Sequence, residues 1–276
     1  MRQTPGMRVA VVGHVEWIRF ARVEQVPRPG EIAHSFEQWE QAGGAGAVAA
    51  VQLALLADEA WLFTVLGDDD LGHRARTELE SRGVVVRVAT DERPQRWAFT
   101  HVDDAGERTI TTVGPKLTPR GHDDRLPWHE LAEMDAVFFV AGDVDALVQA
   151  RRARVLTATS RELDVLRRSG VELDALVGSG EDRAEHYRGD LDPPPRLVVT
   201  TSGSLGGWAR PGGPFSAATP PGEVVDTYGA GDSFAAGLTY ALGSGLSGDD
   251  AIAFAARCGA GALTGRGVAP RHVAVR

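Results

Sequence analysis

A glycine-rich segment near the end of the chain, Asp226–Gly237, holds the residues whose types and spacing are best suited to chemistry. It reads Asp-Thr-Tyr-Gly-Ala-Gly-Asp-Ser-Phe-Ala-Ala-Gly, and apolar residues then recur at helical spacing. A glycine turn that opens a helix presents free N–H groups and the positive end of the helix dipole, which favours an anion such as phosphate. Asp232 lies in the first turn of this helix. A carboxylate there repels phosphate, but it can accept the proton of a hydroxyl that attacks the phosphate.

The surrounding elements are predicted to place this turn at the edge of a sheet. Glu223–Val225 is a short β-branched run that predicts a strand directly before the turn. Short apolar runs alternate with helical patterns from Arg8–Gly13 to Leu197–Thr201, which predicts a mostly parallel sheet with helices on both faces. Sheets of this kind bind ligands at the carboxyl ends of their strands.

Two segments, at about residues 14–40 and 94–113, do not follow this alternation. Apolar and polar residues roughly alternate in them, which predicts one-sided strands. The first segment predicts strands over Val15–Glu24 and Gly30–Trp39, and the second turns at a hairpin signal, Asp103–Gly106. We therefore expect a small antiparallel sheet that is inserted into the α/β body as a lid.

Composition limits the class of protein. The chain has 276 residues, 43% of them apolar and 24% charged, so we expect a single domain over residues 1–276. Its net charge of −9 argues against nucleic acid or an anionic membrane as the main partner. A single cysteine, Cys258, is typical of a protein from the reducing cytoplasm. The sequence shows neither a signal peptide nor a membrane span, so we predict a cytoplasmic location.

These motifs resemble those of the PfkB (ribokinase-like) carbohydrate kinase family. Asp226–Leu238 is similar to the family's C-terminal signature, and Thr201–Gly206 resembles its nucleotide-binding turn. The resemblance covers nearly the whole chain. It implies a ribokinase-like three-layer α/β/α fold with a mostly parallel central sheet and a small β-sheet lid. It also implies an ATP-dependent kinase that phosphorylates an alcohol group of a small sugar, nucleoside or related polyol.

The resemblance implies roles for individual residues as well. Asp232 would be the catalytic base and contact the substrate, and the N–H groups of Gly229, Ala230 and Gly231 would bind the migrating phosphoryl group. The residues expected to contact ATP are Thr201, Gly203, Gly206, Asp226, Thr227 and Gly267. The tail Gly265–Pro270 would close over the adenine. Asp226 could instead be a structural cap or lie near a monovalent cation such as K⁺.

Three positions depart from the family's pattern. Ile18 and Val48 stand where polar substrate-binding residues are usual, and Ser179 stands in place of the asparagine of an Asn-x-x-Glu motif that organises Mg²⁺. Asp182 could keep the acidic role and hold Mg²⁺ through water, or Glu181 or Glu185 could. The phosphoryl-transfer half of the site therefore looks intact and the acceptor half altered. The alternative is a non-catalytic, ligand-binding pseudokinase of the same fold.

The acceptor half offers fewer candidates. Glu16 could contact substrate hydroxyls or be an exposed lid carboxylate. Gly43 and Gly44 could let the backbone approach a ligand, or serve close packing alone. Arg108 is expected to be a solvated charge on the lid. Edge strands of a small lid often pair between subunits, so we expect a homodimer through the lid, with a small-molecule substrate and ATP as the other partners.

Overall fold

The computed structural model describes residues 6–268 of the chain, and thirteen strands lie within them. In chain order these are β1 (Arg8–Val12), β2 (Glu16–Arg22), β3 (Glu37–Gly43), β4 (Glu59–Gly67), β5 (Val84–Asp91), β6 (Trp97–Val102), β7 (Arg108–Val113), β8 (Ala136–Phe139), β9 (Val155–Thr159), β10 (Ala175–Ser179), β11 (Leu197–Thr201), β12 (Gly207–Arg210) and β13 (Gly213–Phe215).

The same residues contain six α-helices and four short 3₁₀ helices. The α-helices are α1 (Ala45–Ala54), α2 (Asp70–Ser81), α3 (Val144–Ala150), α4 (Leu163–Ser169), α5 (Ala230–Gly243) and α6 (Gly248–Ala262). The 3₁₀ helices are Trp128–Glu133, Ser160–Glu162, Arg183–Glu185 and Gly203–Leu205. None of these helices is both long and apolar enough to cross a membrane.

The large sheet has nine strands in the order β13-β12-β11-β10-β9-β8-β1-β4-β5. From β11 to β5 every neighbouring pair is parallel, and only β12 and β13 run antiparallel. One apolar core cluster packs helices α1, α2, α5 and α6 against one face, and a second packs α3 and α4 against the other. The predicted three-layer α/β/α architecture with a mostly parallel sheet is confirmed.

The smaller sheet has four strands in the order β3-β2-β6-β7, drawn from the two segments predicted to form the lid. It is not purely antiparallel as we predicted, because β2 and β6 pair in parallel. The two strands come from separate insertions, so no hairpin dictates their direction. The strand predicted over Gly30–Trp39 was also misplaced: β3 begins at Glu37, and its last residues, Gln41 to Gly43, are buried.

Two further predictions about local structure were wrong. Glu223–Val225 is not a strand; its described backbone partner is Leu263, whose carbonyl accepts from Val225 N–H. β-branched residues favour a strand only where a neighbouring strand offers a ladder of partners. The helix predicted after Ser179 shrinks to the 3₁₀ turn Arg183–Glu185.

Candidate active site

One edge of the large sheet collects the residues of the candidate site. Strands β1, β9, β10 and β11 are parallel, so the segments that follow them meet at the same edge. These segments carry His14, Arg161, Gly180 and Ser202. The direction of the chain reverses on the two sides of β1, and a crevice at such a point is the usual ligand site of a parallel sheet.

The predicted anion turn lies at the start of α5. Gly229 is the N-cap residue and has φ +75°, a left-handed conformation that costs a residue with a side chain about 1–2 kcal/mol. A Cβ atom on Gly229 would lie 2.7 Å from Cγ1 of Val48, so glycine is also required sterically. No described carbonyl accepts from the N–H groups of Gly229, Ala230 or Gly231, which leaves them available to an anion.

Asp232 follows these groups in the first turn of α5 and is half-buried. Burial raises the pKa of its carboxyl to about 6, against the lowering effect of the Arg108 and Arg161 charges. The charges of Glu185 and Glu16 raise this pKa further. A carboxylate with this pKa is largely ionised at neutral pH and is much more basic than an ordinary aspartate, as a general base has to be.

Asp226 and Thr227 tie the turn to the rest of the protein. The two carboxylate oxygens of Asp226 accept from the backbone N–H groups of Tyr228 and Gly267, each at 2.8 Å. Both oxygens are therefore occupied, which favours the structural role that the sequence left open. The N–H group and hydroxyl of Thr227 both donate to Gly106 O, in the β6–β7 hairpin. An ATP contact by these residues and a K⁺ requirement stay predictions.

Arg108, at the start of β7, is not the free solvated charge that we expected. Its Nη1 donates to the carbonyl oxygen of Thr227 at 2.7 Å and lies 3.1 Å from the Thr227 hydroxyl. The lid thus brings a positive charge to the signature turn, where it lowers the pKa of Asp232. No sequence motif marked this residue, because its partner lies 119 residues away in the chain.

The expected nucleotide-binding residues follow β11. Thr201 ends the strand, and its carbonyl accepts from Gly180 N–H at 2.8 Å, which joins this loop to the one after β10. Gly203 and Gly206 have φ values of +53° and +94°. A Cβ on Gly206 would lie 2.0 Å from Phe215 O, so the loop can fold this tightly only with glycine. Gly267 lies elsewhere, against Asp226 and the side chain of Gln41. Ala269 and Pro270, at the end of the predicted adenine-covering tail, are outside the described residues.

Acidic side chains gather around Arg161 between these loops. Asp182 and Glu185 both contact Arg161 Nη2, and Asp182 also accepts from Ala184 N–H at 2.9 Å. The backbone bond and the Arg161 charge lower the pKa of Asp182, so it is ionised. Two carboxylates face one guanidinium here, and the group keeps net negative charge beside the phosphate end. Oxygen ligands with spare negative charge suit Mg²⁺ held through water.

The acceptor end of the cleft lies where the start of β2 meets the start of α1. Glu16 is only 8% exposed, so it is not the exposed lid carboxylate of our alternative interpretation. Gly44 caps α1 with φ +81°, and a Cβ there would lie 3.1 Å from Cγ of Glu16. Gly44 N–H donates to the hydroxyl of Tyr228 at 2.8 Å, and a Cβ on Gly43 would lie 2.7 Å from that oxygen. The two glycines therefore bring Glu16 and the signature turn together.

Ile18 and Val48, the two departures from the family's pattern, are 1% and 2% exposed. They pack with Phe20, Ala98, Val102, Tyr228 and Val268 in an apolar cluster beneath the lid. Their side chains are used to hold the lid sheet against the signature turn and have almost no surface to offer a substrate. Recognition of the acceptor consequently has to come from other residues.

The sequence as a whole matches the pattern of the pfkB family carbohydrate kinases over residues 7–162 and 144–272. An ATP-dependent ribose-1-phosphate kinase from Halopiger xanaduensis is 32% identical over 280 residues, covering 92% of this chain and 91% of the relative. Ribokinase from Thermotoga maritima has a TM-score of 0.77 at 20% identity, covering 95% of this chain and 94% of that one.

A ribokinase from Arabidopsis thaliana, solved with ribose and ATP, has a TM-score of 0.69 at 19% identity and covers 96% of this chain and 94% of its own. At these identities the solved structures establish the ribokinase-like fold. The match over nearly the whole sequence, together with the signature turn and its aspartate, establishes the family. This chain belongs to the pfkB family of carbohydrate kinases.

Proposed function

We propose that the protein transfers the γ-phosphoryl group of ATP to an alcohol group of a small sugar or related polyol, with Asp232 as general base. The observation that carries the proposal is the pairing of an aspartate whose pKa is about 6 with three unsatisfied N–H groups in the turn directly before it. A proton acceptor and an anion site are thus held side by side. Phosphoryl transfer to an alcohol needs both.

In the reaction the acceptor hydroxyl gives its proton to Asp232 while its oxygen attacks the γ-phosphorus. The bond between that phosphorus and the bridging oxygen breaks in line, and ADP leaves with the electron pair. The N–H groups of Gly229, Ala230 and Gly231 stabilise the negative charge on the phosphoryl oxygens. Arg108, which the lid holds against Thr227, adds positive charge at the same point. Positioning and electrostatics supply most of the rate enhancement in such a site.

For ATP, the proposal uses the two loops after β10 and β11. Thr201, Gly203 and Gly206 would line the nucleotide, with Thr227 beside its terminal phosphates. Mg²⁺ bound to ATP would neutralise phosphate charge, and Asp182 would hold it through water. A kinase relative solved with ATP and the ATP-dependent relative from Halopiger xanaduensis both support ATP as phosphoryl donor.

For the acceptor, the names of the relatives point to ribose and ribose 1-phosphate as the first compounds to test. Glu16, Gly43 and Gly44 would lie against the acceptor, with Asp232 facing the hydroxyl that reacts. A homodimer through the lid stays part of the proposal, since β7 is an edge strand exposed along its whole length. The molar mass of the protein in solution tests that part.

The proposal is tested by measuring ATP consumption with a panel of sugars, sugar phosphates and nucleosides. Asp232→Asn should lower turnover about 10²–10⁴-fold and leave ATP binding near normal, because it removes the base alone. Asp249→Asn is the matched control, since Asp249 lies in the first turn of α6 but outside the site. Ligand binding without phosphorylation of any acceptor would favour the pseudokinase. Near-normal turnover by Asp232→Asn would remove Asp232 from the mechanism.

A further inference from the structure

A cluster of basic side chains at the acceptor end has no part in the mechanism above. It consists of His14, which follows β1, Arg96, which precedes β6, and Lys116, in the segment after β7. Glu16 lies among them: its Oε1 is 2.8 Å from Arg96 Nε and 3.8 Å from His14 Nε2. Three separate segments thus supply positive groups to one place. We call this set the basic cluster.

His14 leaves a polar atom unsatisfied. The residue is only 8% exposed, and within the described chain its Nδ1 has no hydrogen-bond partner. A buried ring nitrogen without a partner costs free energy that folding alone does not recover. An unpaired buried group that faces a ligand site is explained if the ligand supplies the partner.

Lys116 is the only lysine in the sequence, and all the other members of its 29 lysine and arginine residues are arginines. The single exception lies at this end of the cleft. Its Nζ is 2.9 Å from Glu162 Oε1, and its side chain is 30% exposed. A lysine ammonium is a compact charge with three donors, so two N–H groups remain for a ligand.

The field at this place is positive even though two carboxylates contact the cluster. Burial lowers the pKa of His14 well below its usual value, and the charges of Lys116, Arg96 and Arg161 lower it further. Glu16 contacts Arg96 through Nε only, which leaves the two Nη groups at the other edge of the guanidinium. In a protein whose net charge is −9, such a concentration of positive groups beside a buried imidazole calls for an anionic ligand.

The basic cluster faces the acceptor and not the nucleotide. Its acidic neighbour Glu16 lies against Gly44 at the start of α1, whereas the nucleotide loops follow β10 and β11. Arg161 acts on both His14 and Asp232, so its charge lies between the cluster and the base. The two apolar departures, Ile18 and Val48, are buried beneath the lid and cannot replace these contacts.

We infer that the acceptor itself carries a phosphate group, which Arg96, Lys116 and His14 bind while a hydroxyl elsewhere on the same molecule faces Asp232. The inference rests on the proposed function. It extends that function by naming the class of acceptor, a phosphorylated small sugar, and the residues that select it. Two or three charge-assisted hydrogen bonds to one phosphate would give strong preference over the unphosphorylated sugar.

The first test compares ribose 1-phosphate, ribose 5-phosphate and ribose as acceptors for the wild type and Lys116→Met. We expect at least one sugar phosphate to be preferred over ribose. Lys116→Met should lower kcat/KM for it at least about 30-fold, as expected when one partner of a buried charged contact is truncated. The KM for ATP and the rate with ribose should stay within about twofold. Arg167→Met is the control, because it also removes a cation paired with carboxylates, Asp164 and Asp190, outside the site.

The second test needs no variant, because the chain has one lysine. An amine-reactive reagent, read by mass spectrometry, should label Lys116, and a sugar phosphate should protect it where ribose does not. The inference is overturned if ribose is the preferred acceptor, if Lys116→Met weakens ATP and acceptor alike, or if no sugar phosphate protects Lys116. Protection of Lys116 without turnover of any acceptor would support the phosphate site and contradict the proposed kinase activity.

Discussion

The phosphate end and the acceptor end of the cleft are built from the chain in different ways. At the phosphate end one short segment, 226–232, supplies the anion-binding N–H groups, the base and the cap that fixes them. At the acceptor end, Glu16 and the basic cluster come from segments about 100 residues apart. A local turn holds its geometry through backbone conformation, whereas the acceptor end depends on how separate elements pack.

The contrast teaches which half of the activity is free to change. A substitution in the turn alters the chemistry for every acceptor, because Gly229 and Asp232 are fixed to one helix start. At the acceptor end single side chains can change one at a time while the backbone stays. Ile18 and Val48 are an example: both have become packing residues beneath the lid without disturbing the turn. The two ends meet through the bond from Gly44 N–H to the Tyr228 hydroxyl.

The largest effect should come from the protonation of Asp232 at the phosphate end. Its pKa is about 6, so kcat/KM should fall about tenfold per pH unit below that value and about 100-fold by pH 4. Arg108 lowers this pKa, so Arg108→Met should move the acid limb to higher pH. The measurement is a pH profile of kcat/KM for both proteins. An acid limb that stays in place in Arg108→Met would mean that the profile reports the titration of another group.

The sequence made the phosphate end predictable because its information is local. A glycine turn, a helix start and an aspartate at fixed spacing define Gly229 and Asp232 without knowledge of any other element. The architecture followed from the alternation of strands and helices for the same reason. Glu223–Val225 shows the limit of local patterns, since its β propensity found no partner strand.

The acceptor end was predicted poorly because its contacts are non-local. Arg108 reaches Thr227 across 119 residues, and Lys116 reaches Glu162 across 46. Neither spacing forms a motif. Composition could have marked Lys116, as the only lysine of the chain, but not its partners. His14 could be found only by asking which buried polar atoms lack a partner, and that question needs coordinates.

Gly229→Ala should have the next largest effect, because it tests how rigidly the turn is fixed. The new Cβ would lie 2.7 Å from Val48 Cγ1, and a φ of +75° costs alanine about 1–2 kcal/mol by itself. We expect the free energy of unfolding to fall by at least about 2 kcal/mol, measured by urea denaturation. In a Val48→Ala background the clash disappears, and only the backbone cost of about 1–2 kcal/mol should remain.

Gly231→Ala is the control within the same turn. No heavy atom lies within 4 Å of a Cβ at Gly231, so the substitution should not lower stability. If the two glycine variants unfold at the same urea concentration, the special requirement for glycine at position 229 is refuted. A loss from Gly229→Ala that is equally large in the wild-type and Val48→Ala backgrounds would show that the close contact to α1 is unimportant.

The smallest effect should come from Tyr228→Phe, which cuts the bond that joins the two ends. The Tyr228 hydroxyl is the acceptor for the buried Gly44 N–H, and removing it should cost about 1 kcal/mol of unfolding free energy. Since Gly44 also abuts Glu16, we expect the KM for the acceptor to rise severalfold while the KM for ATP stays unchanged. Tyr240→Phe is the control, because Tyr240 lies on the same helix but stacks on Phe254 and makes no side-chain hydrogen bond within residues 6–268. If both variants behave alike, the two ends are held together by the apolar cluster beneath the lid and the hydrogen bond is dispensable.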